Sequence, residues 1–281
     1  MIQKSYDQTP TLYLIPTPIG NLYDVTLRAI KTLKEVDVIL AEDTRVAKQL
    51  CRHLEIEKEI ISNYQYNEKK NKEKVIEFLK NGKSIGLITD RGTPLISDPG
   101  YEIVKEVINK KYNVVGLPGP TALIPALIVS GLKPQPFAFF GFLDNKETKR
   151  KKELEKIKKL DITIIIYEAP HRLKKTLEDI YEILGNRQLG ISREITKIHE
   201  EIFRGTVKEA LNQLNDVRGE IVIVIEGNSS SNYENISIIE HVHMYIKEGY
   251  NQKEAIKLVA KDRNMTKKEI YNIYHNIEKG D

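Results

Sequence analysis

Residues 87–100 read Leu-Ile-Thr-Asp-Arg-Gly-Thr-Pro-Leu-Ile-Ser-Asp-Pro-Gly. An apolar run, read as a buried strand, stops at Asp90. Two chain breaks follow, each joining a carboxylate to glycine and proline. A plain strand-to-helix connection needs one turn, so the second break calls for an explanation. The first break, at Asp90, is read as ending the strand and shaping a ligand wall. The second, Ser97-Asp98-Pro99-Gly100, is read as starting a helix, with Asp98 as N-cap and proline at the first helical position. On this reading Asp90 is the functional acid and Asp98 is structural.

The same alternation flanks the stretch on both sides. LYLIP (12–16) precedes a helical pattern over Leu27, Ile30 and Leu33, and VDVILA (36–41) precedes one over Val46, Leu50 and Leu54. After the loop comes a helix over Ile103, Val104 and Val107, then NVVGLP (113–118) and ALIPALIVSGL. Runs apolar on both faces, alternating with helices, predict a mainly parallel, buried sheet. KPQPF (133–137), with its two prolines, predicts an extended connector. The alternation then resumes with FAFFGF, a basic helix, ITIIIYEA, a helix over Leu173, Leu177 and Ile180, LGISRE and EIVIVIEG. The expected organisation is an α/β domain over 1–118, a linker over 119–136, a second α/β domain over 137–236 and a helical tail over 237–281. Two capping-box patterns, Asn251-x-x-Glu254 and Thr266-x-x-Glu269, predict two helices in that tail.

In parallel α/β sheets ligands bind beyond the carboxyl ends of the strands. Three loops there are alike in composition, rich in proline, glycine and threonine: Pro16-Thr-Pro-Ile-Gly-Asn21, Thr89-Asp-Arg-Gly-Thr-Pro94 and Leu117-Pro-Gly-Pro-Thr-Ala122. Seven of the eleven prolines fall between 94 and 136, placing stiff loops beside the predicted domain junction. Proline fixes φ and glycine permits close backbone approach, which suits a small ligand with donors and acceptors. There is no G-x-G-x-x-G and no P-loop pattern, which argues against a nicotinamide-dependent oxidoreductase or an NTPase.

The chain of 281 residues is 40% hydrophobic and 30% charged, as a globular protein with ample core should be. One cysteine, Cys51, excludes an internal disulfide and any cysteine-based zinc site, and no metal cluster is visible in the sequence. No segment is long and apolar enough to span a bilayer, and the first ten residues lack an apolar signal core, so the expected location is the cytoplasm, with no membrane contact. The net charge of +4 is concentrated: residues 145–159 alone carry eight Lys/Arg against three Glu. That stretch reads either as a surface for a polyanion or as a solvated helix with Glu–Lys pairs.

Polar blocks interrupting apolar runs are the candidates for chemistry: Glu42-Asp43-Thr44-Arg45, Glu168-Ala-Pro-His171-Arg172, and Arg193-Glu194 with Lys197, His199 and Glu200. Glu42 and Asp43 at a strand end face opposite ways, so one at most points into a cleft. Asp43 or Thr44 also suits a helix cap, and Arg193 could pair with Glu194. His171 and Arg172 open a helix, where the dipole disfavours cations, which points to a ligand.

At these loops the sequence resembles the tetrapyrrole-methylase superfamily of S-adenosylmethionine-dependent methyltransferases. Within it, the chain is most similar to the family that 2′-O-methylates a cytidine in the decoding region of small-subunit (16S) ribosomal RNA. The matching blocks are LYLIPTPIGNL (12–22), DVILAEDTR (37–45), DRGTPLISDPGY (90–101), LPGPTAL (117–123), GFL with the following lysines (141–152), YEAPHRL (167–173) and REITKIHEEIFRGT (193–206). Arg91, where the family has alanine, and Pro16 depart from the pattern. The resemblance implies two α/β domains with the methyl donor in the cleft between them, and a homodimer. It implies cofactor contacts from Pro18 and Gly20, from Asp90, Arg91, Gly92 and Thr93, from Thr121 and Ala122, from Tyr167 and Glu168, and from Gly227. It implies ribosomal RNA, naked or in the assembled 30S subunit, as partner. Arg45, His171, Arg172, Arg193, Lys149 and Arg150 are then expected to hold the RNA. Lys197 is expected both to hold RNA phosphate or ribose and to take part in catalysis, with Asp43 or Glu200 as the base. The alternative is a relative acting on a tetrapyrrole or another small substrate.

Overall fold

The computed structural model describes residues 2–5, 8–64, 68–214, 217–228, 236–263 and 265–277. In the first half, five strands, β1 (Thr11–Leu14), β2 (Val38–Ala41), β3 (Glu59–Ser62), β4 (Ile85–Ile88) and β5 (Asn113–Gly116), form one sheet in the order β3-β2-β4-β1-β5. Every pairing is parallel. Helices α1 (Leu27–Glu35), α2 (Thr44–His53), α3 (Glu68–Lys80) and α4 (Tyr101–Asn109) cover it. Both faces are buried, one with Ala29, Leu33, Ala47 and Cys51 packed on Ile39 and Ala41, the other with Val75, Leu79, Ile103 and Val107 packed on Leu12, Leu40 and Leu87. The neighbouring strands β1 and β4 therefore send their connections to opposite faces: α1 follows β1 on one side and α4 follows β4 on the other. That divergence opens a crevice at their carboxyl ends.

Helix α5 (Leu123–Val129) leads into the second half, which holds β6 (Phe137–Phe142), α6 (Glu147–Ile157), β7 (Thr163–Glu168), α7 (Leu173–Leu184), β8 (Gln188–Arg193), β9 (Glu201–Thr206), α8 (Val207–Gln213) and β10 (Ile221–Ile225). The sheet order is β6-β7-β10-β8-β9. Here only β6–β7 is parallel; β7–β10, β10–β8 and β8–β9 are antiparallel. The parallel pattern read from the apolar runs thus holds for the first sheet and not for the second, because a strand buried on both faces looks alike in either direction. Strands β3 and β9 were not legible as apolar runs; both are partly exposed. Helices α6, α7 and α8 pack on one face of this sheet, with Leu154, Leu177 and Ala210 in its main core. Helix α5 lies on the other face, where Ala126 and Leu127 meet Ile165, Val222 and Val224. The segment expected as linker therefore carries a packed helix.

The tail holds three helices, α9 (Ile238–Lys247), α10 (Gln252–Asp262) and α11 (Lys267–Ile277), around a core of Val242, Ile256, Val259, Ile270 and Tyr274. Both capping boxes form as the spacing predicts. A third, Ser237 with Glu240, opens the additional helix α9.

Candidate functional site

The three proline–glycine loops are cross-linked into one wall. Thr17 and Gly92 exchange backbone hydrogen bonds of 2.9 and 3.0 Å, and the Thr17 hydroxyl donates to the Thr89 carbonyl at 3.0 Å. The Thr93 hydroxyl donates to the Pro120 carbonyl at 3.0 Å, and Gly119 lies so close under Pro16 that an added Cβ would stand 2.7 Å from the proline Cβ. Gly92 has φ +85, open to glycine at little cost, and its Cβ would press on Ile19 at 3.2 Å. Beyond it Leu95 (φ 71) and Ser97 (φ 69) are left-handed, an uncommon conformation for such residues and a local strain held by the surroundings.

Those turns correct the reading of the second break. Helix α4 begins at Tyr101 with Gly100 as N-cap, and no side chain caps it. Asp98 is directed instead into the cleft, half-buried, hydrogen-bonded with Thr89 and facing Glu42 and Asp90. Burial first, then the neighbouring carboxylates, push its carboxyl up to about 6. Glu42 is likewise raised, by burial and by Asp90. The Thr89 hydroxyl donates to Glu42 at 3.3 Å, and the Asp43 N–H donates to Asp90 at 3.0 Å. Of the Glu42–Asp43 pair, Glu42 turns toward this cluster and Asp43 turns away, as alternation along an extended segment requires.

Between the two sheets lies a cleft of about 660 Å³. The first domain contributes Ile19, Asp90, Arg91, Gly92, Thr93 and Asp98, and the second contributes Thr121, Ala122, Phe142, Tyr167, Ile195, Glu220 and Val222. The Tyr167 ring meets Phe139 and Phe142 edge-on at 4.8 and 5.6 Å, and its hydroxyl is hydrogen-bonded with Thr121 and the Leu123 N–H. Burial raises that phenol above its ordinary value. Glu168 belongs to the rim only through its backbone: its buried carboxylate accepts from the Ala169 N–H and the Thr176 hydroxyl and lies beside Arg172, on the α7 side of the sheet. Arg91 bridges the cleft mouth to Glu220, which also accepts from Lys197 at 2.9 Å.

Three expected cofactor contacts fall elsewhere. Pro18 and Gly20 do not line the cleft; Gly20 lies under Lys197, where an added Cβ would clash with the lysine Cγ. Gly227 is a correction. Strand β10 runs antiparallel to β7, so its start, Ile221, pairs with Glu168 at the cleft, while its end, Ile225, pairs with Ile164. Gly227 is at that far end, packed on the backbone of Asp161 and Ile162.

The polar candidates are mostly engaged. Asp43 caps α2, accepting from the Arg45 N–H at 2.8 Å, and binds the Arg45 guanidinium at 2.6–3.1 Å. Those contacts hold its carboxyl down at about 2, which makes it a weak base. Glu200 accepts from the Thr196 N–H at 2.6 Å and braces the 194–200 loop. Lys197 bridges Glu194 and Glu220 at 2.7 and 2.9 Å. Arg193 pairs with Glu201, its cross-strand neighbour, rather than with Glu194. His171 is exposed, whereas Arg172 donates to the Leu143 and Asp144 carbonyls. Arg172 is thus accounted for by local structure, while His171 is left facing solvent.

Helix α6 sorts its charges. Arg150, expected on an RNA-facing surface, is 3% exposed and bound to Asp179 at 2.6–2.7 Å. Lys151 is held by Glu147 and Glu182. The outward face is a stripe of Lys149, Lys152 and Lys156, at helical spacing, continued past the helix end by the exposed Lys159. Sequence reasoning missed this sorting, along with Asp98 and Glu220. A charged residue directly before a strictly apolar strand was the available signal for Glu220. Among the described residues no group of His, Cys, Asp and Glu is placed to hold a metal ion, and no helix is long and apolar enough to cross a membrane.

Residues 11–211 match the family model described as Tetrapyrrole (Corrin/Porphyrin) Methylases. The chain is 50% identical over 273 residues, 94% of both chains, to a Bacillus subtilis (strain 168) protein named Ribosomal RNA small subunit methyltransferase I. It is 46% identical over 284 residues, 97% of this chain and 98% of the other, to the Halalkalibacterium halodurans protein of that name. Among solved structures, that of a cobalamin biosynthetic enzyme, cobalt precorrin-4 methyltransferase, superposes with a TM-score of 0.58 at 18% identity, over 80% of this chain and 98% of that one. At that identity the likeness concerns the fold.

Proposed function

We propose, for a chain that belongs to the tetrapyrrole methylase family and within it to the ribosomal RNA small subunit methyltransferase I proteins, that the cleft binds S-adenosylmethionine and methylates the ribose 2′-hydroxyl of a cytidine in small-subunit ribosomal RNA. The observation that carries the reading is the cleft itself, braced by cross-linked loops, with Asp90 and Asp98 on its first-domain side, Glu42 close to both, and a lysine stripe on α6, the helix that follows the cleft residue Phe142 in the chain. The bound donor supplies an electrophilic methyl group on a sulfonium. Its positive charges fit the cluster of Glu42, Asp90 and Asp98, and its apolar parts fit Ile19, Phe142 and Val222.

Methyl transfer asks chiefly for alignment, which is worth roughly 7–11 kcal/mol when reacting groups are held in place. The stapled loops supply that rigidity. Asp98, near 6, is poised to accept a proton near neutral pH, a role for which Asp43 is too acidic and Glu200 is occupied. Lys197, through Glu220, borders the mouth, where RNA phosphate would pass. The lysines of α6 add attraction to the RNA backbone, independent of sequence. The partner is small-subunit RNA, free or in the 30S subunit. The protein works in the cytoplasm as a homodimer, for which the exposed Ile124 and Ile128 of α5 and Phe137 and Phe140 of the edge strand β6 offer an apolar face.

The test is mass-spectrometric mapping of ribose methylation after incubation of the protein and S-adenosylmethionine with unmodified small subunits. One new 2′-O-methylcytidine is expected. Tight S-adenosylmethionine binding without RNA methylation would instead favour a small substrate.

A further inference from the structure

The two loops that meet at the cleft mouth each place one apolar side chain inside the cleft and another wholly in solvent. From the first domain, Ile19 lines the cleft, while Tyr23 is 96% exposed. From the second, Ile195 lines the cleft, while Ile198 is 94% exposed. The loops touch where Lys197 lies across Gly20, so the exposed side chains stand a few residues on either side of one contact.

Neither exposure comes from a slack segment. Asn21 accepts from the Tyr23 N–H at 3.1 Å, and the turn closes through Asp24 N–H to the Asn21 carbonyl. The Ile198 loop is braced by Glu200 on the Thr196 N–H, by Lys197 on two glutamates, and by backbone bonds between Lys197 and Glu194 and between Glu200 and Lys197. Glu194 and Thr196 take left-handed conformations, φ 52 and 71, to make it. Leu22 and Leu27 of the same segment are exposed as well, at 43% and 86%, and exposed apolar side chains gathered at one place, unlike ones scattered singly, mark an interaction site.

We propose that Tyr23 and Ile198 are positioning residues that cover the bases flanking the target nucleotide, holding it out of the RNA stack and in the cleft. This rests on the RNA-methylation reading above. A ribose in structured RNA cannot enter a cleft between two domains while its base stays stacked. Enzymes that reach such atoms fill the vacated stack with aromatic or apolar side chains. Tyr23 offers a ring face for one neighbouring base, and Ile198 an aliphatic wedge for the other, with Lys197 beside Ile198 for a phosphate.

The experiment compares wild type with Tyr23→Ala, Tyr23→Phe and Ile198→Ala on two substrates. One is a folded RNA fragment containing the methylated nucleotide; the other is the same fragment with abasic sites on both sides of it, so that nothing needs unstacking. Because both side chains are exposed, the folded state should be unaffected, which Tm checks. On folded RNA each alanine variant should lose roughly tenfold or more in kcat/KM, the scale of one base–aromatic stack, and Tyr23→Phe should retain activity. On the abasic substrate the loss should shrink to less than about twofold. Equal losses on both substrates, or none on either, overturn the proposal. So does a shift of the alanine variants from dimer to monomer, which would make these residues a contact between copies. A wild type that methylates no RNA overturns the functional reading and this one with it; an active wild type with indifferent variants overturns only this one.

Discussion

Arg91 of the first domain is ion-paired with Glu220 of the second, directly across the mouth of the cleft. Arg91, which departs from the loop pattern that the sequence otherwise resembles, thus has a partner. The bridge joins the loop after β4 to the start of β10, and through Glu220 it reaches Lys197.

Removing that bridge should loosen the mouth modestly. Both side chains are just over half exposed, and exposed pairs contribute about 0.2–1 kcal/mol. Arg91→Ala should therefore raise the KM for S-adenosylmethionine by no more than about fivefold, leaving Tm nearly unchanged. Glu220→Ala, which also strips Lys197 of a partner, should cost more than Arg91→Ala, measured by initial rates.

Asp98 and Asp43 should separate sharply. Asp98→Asn is expected to lower kcat by roughly 10²-fold or more, whereas Asp43→Asn, which keeps the helix cap, should stay within a few-fold of wild type. Their effects on stability should also differ in sign. The Asp98 carboxyl is raised in the folded protein, so the folded state holds a proton that the unfolded chain releases between about pH 4 and 6, and stability falls as pH rises through that window. At pH 7 Asp98→Asn should consequently raise Tm by about 2–6 °C, a gain that disappears below about pH 4. Asp43 is lowered, so its contribution is present at neutral pH and is lost as pH falls toward 2.

Helix α6 makes a paired prediction. Arg150→Ala leaves Asp179 buried without its partner and should cost about 3–5 kcal/mol of stability by denaturant titration, with the salt dependence of RNA binding unchanged. Replacing Lys149, Lys152, Lys156 and Lys159 by glutamine should do the reverse. Stability holds, while RNA affinity falls and the slope of log K against log salt flattens by roughly 0.7–0.9 for each lost phosphate contact.

Two glycines should report different things. Gly92→Ala forces a side chain into a left-handed position against Ile19 and should both destabilise the loop by about 1–2 kcal/mol and weaken S-adenosylmethionine binding in calorimetry. Gly227→Ala meets backbone at 2.5 Å and should destabilise the second domain while leaving the cofactor Kd of the remaining folded protein unaltered.

Much of this molecule is legible in its residue order, and the legible part is local. The apolar runs at 12–16, 36–41 and 113–118, the capping boxes at Asn251 and Thr266, and the stiff proline–glycine bends depend on backbone preferences within a few residues. So does the placement of Asp90, Gly92, Thr93, Thr121 and Tyr167 at strand ends, where they came to line the cleft. What the residue order leaves open is non-local. Whether β10 runs up or down decides that Glu220, and not Gly227, reaches the cleft, and an all-apolar strand carries no mark of direction. Whether Asp98 caps a helix or enters the cleft depends on left-handed turns at Leu95 and Ser97 that those residue types do not announce. Arg150 and Lys149 are neighbours in one basic run, yet one is buried against Asp179 of the packed α7 while the other, paired with Asp144, stays mostly exposed. Local energies set the elements and their stiff ends. Direction, burial and partnership waited for contacts between residues far apart in the chain.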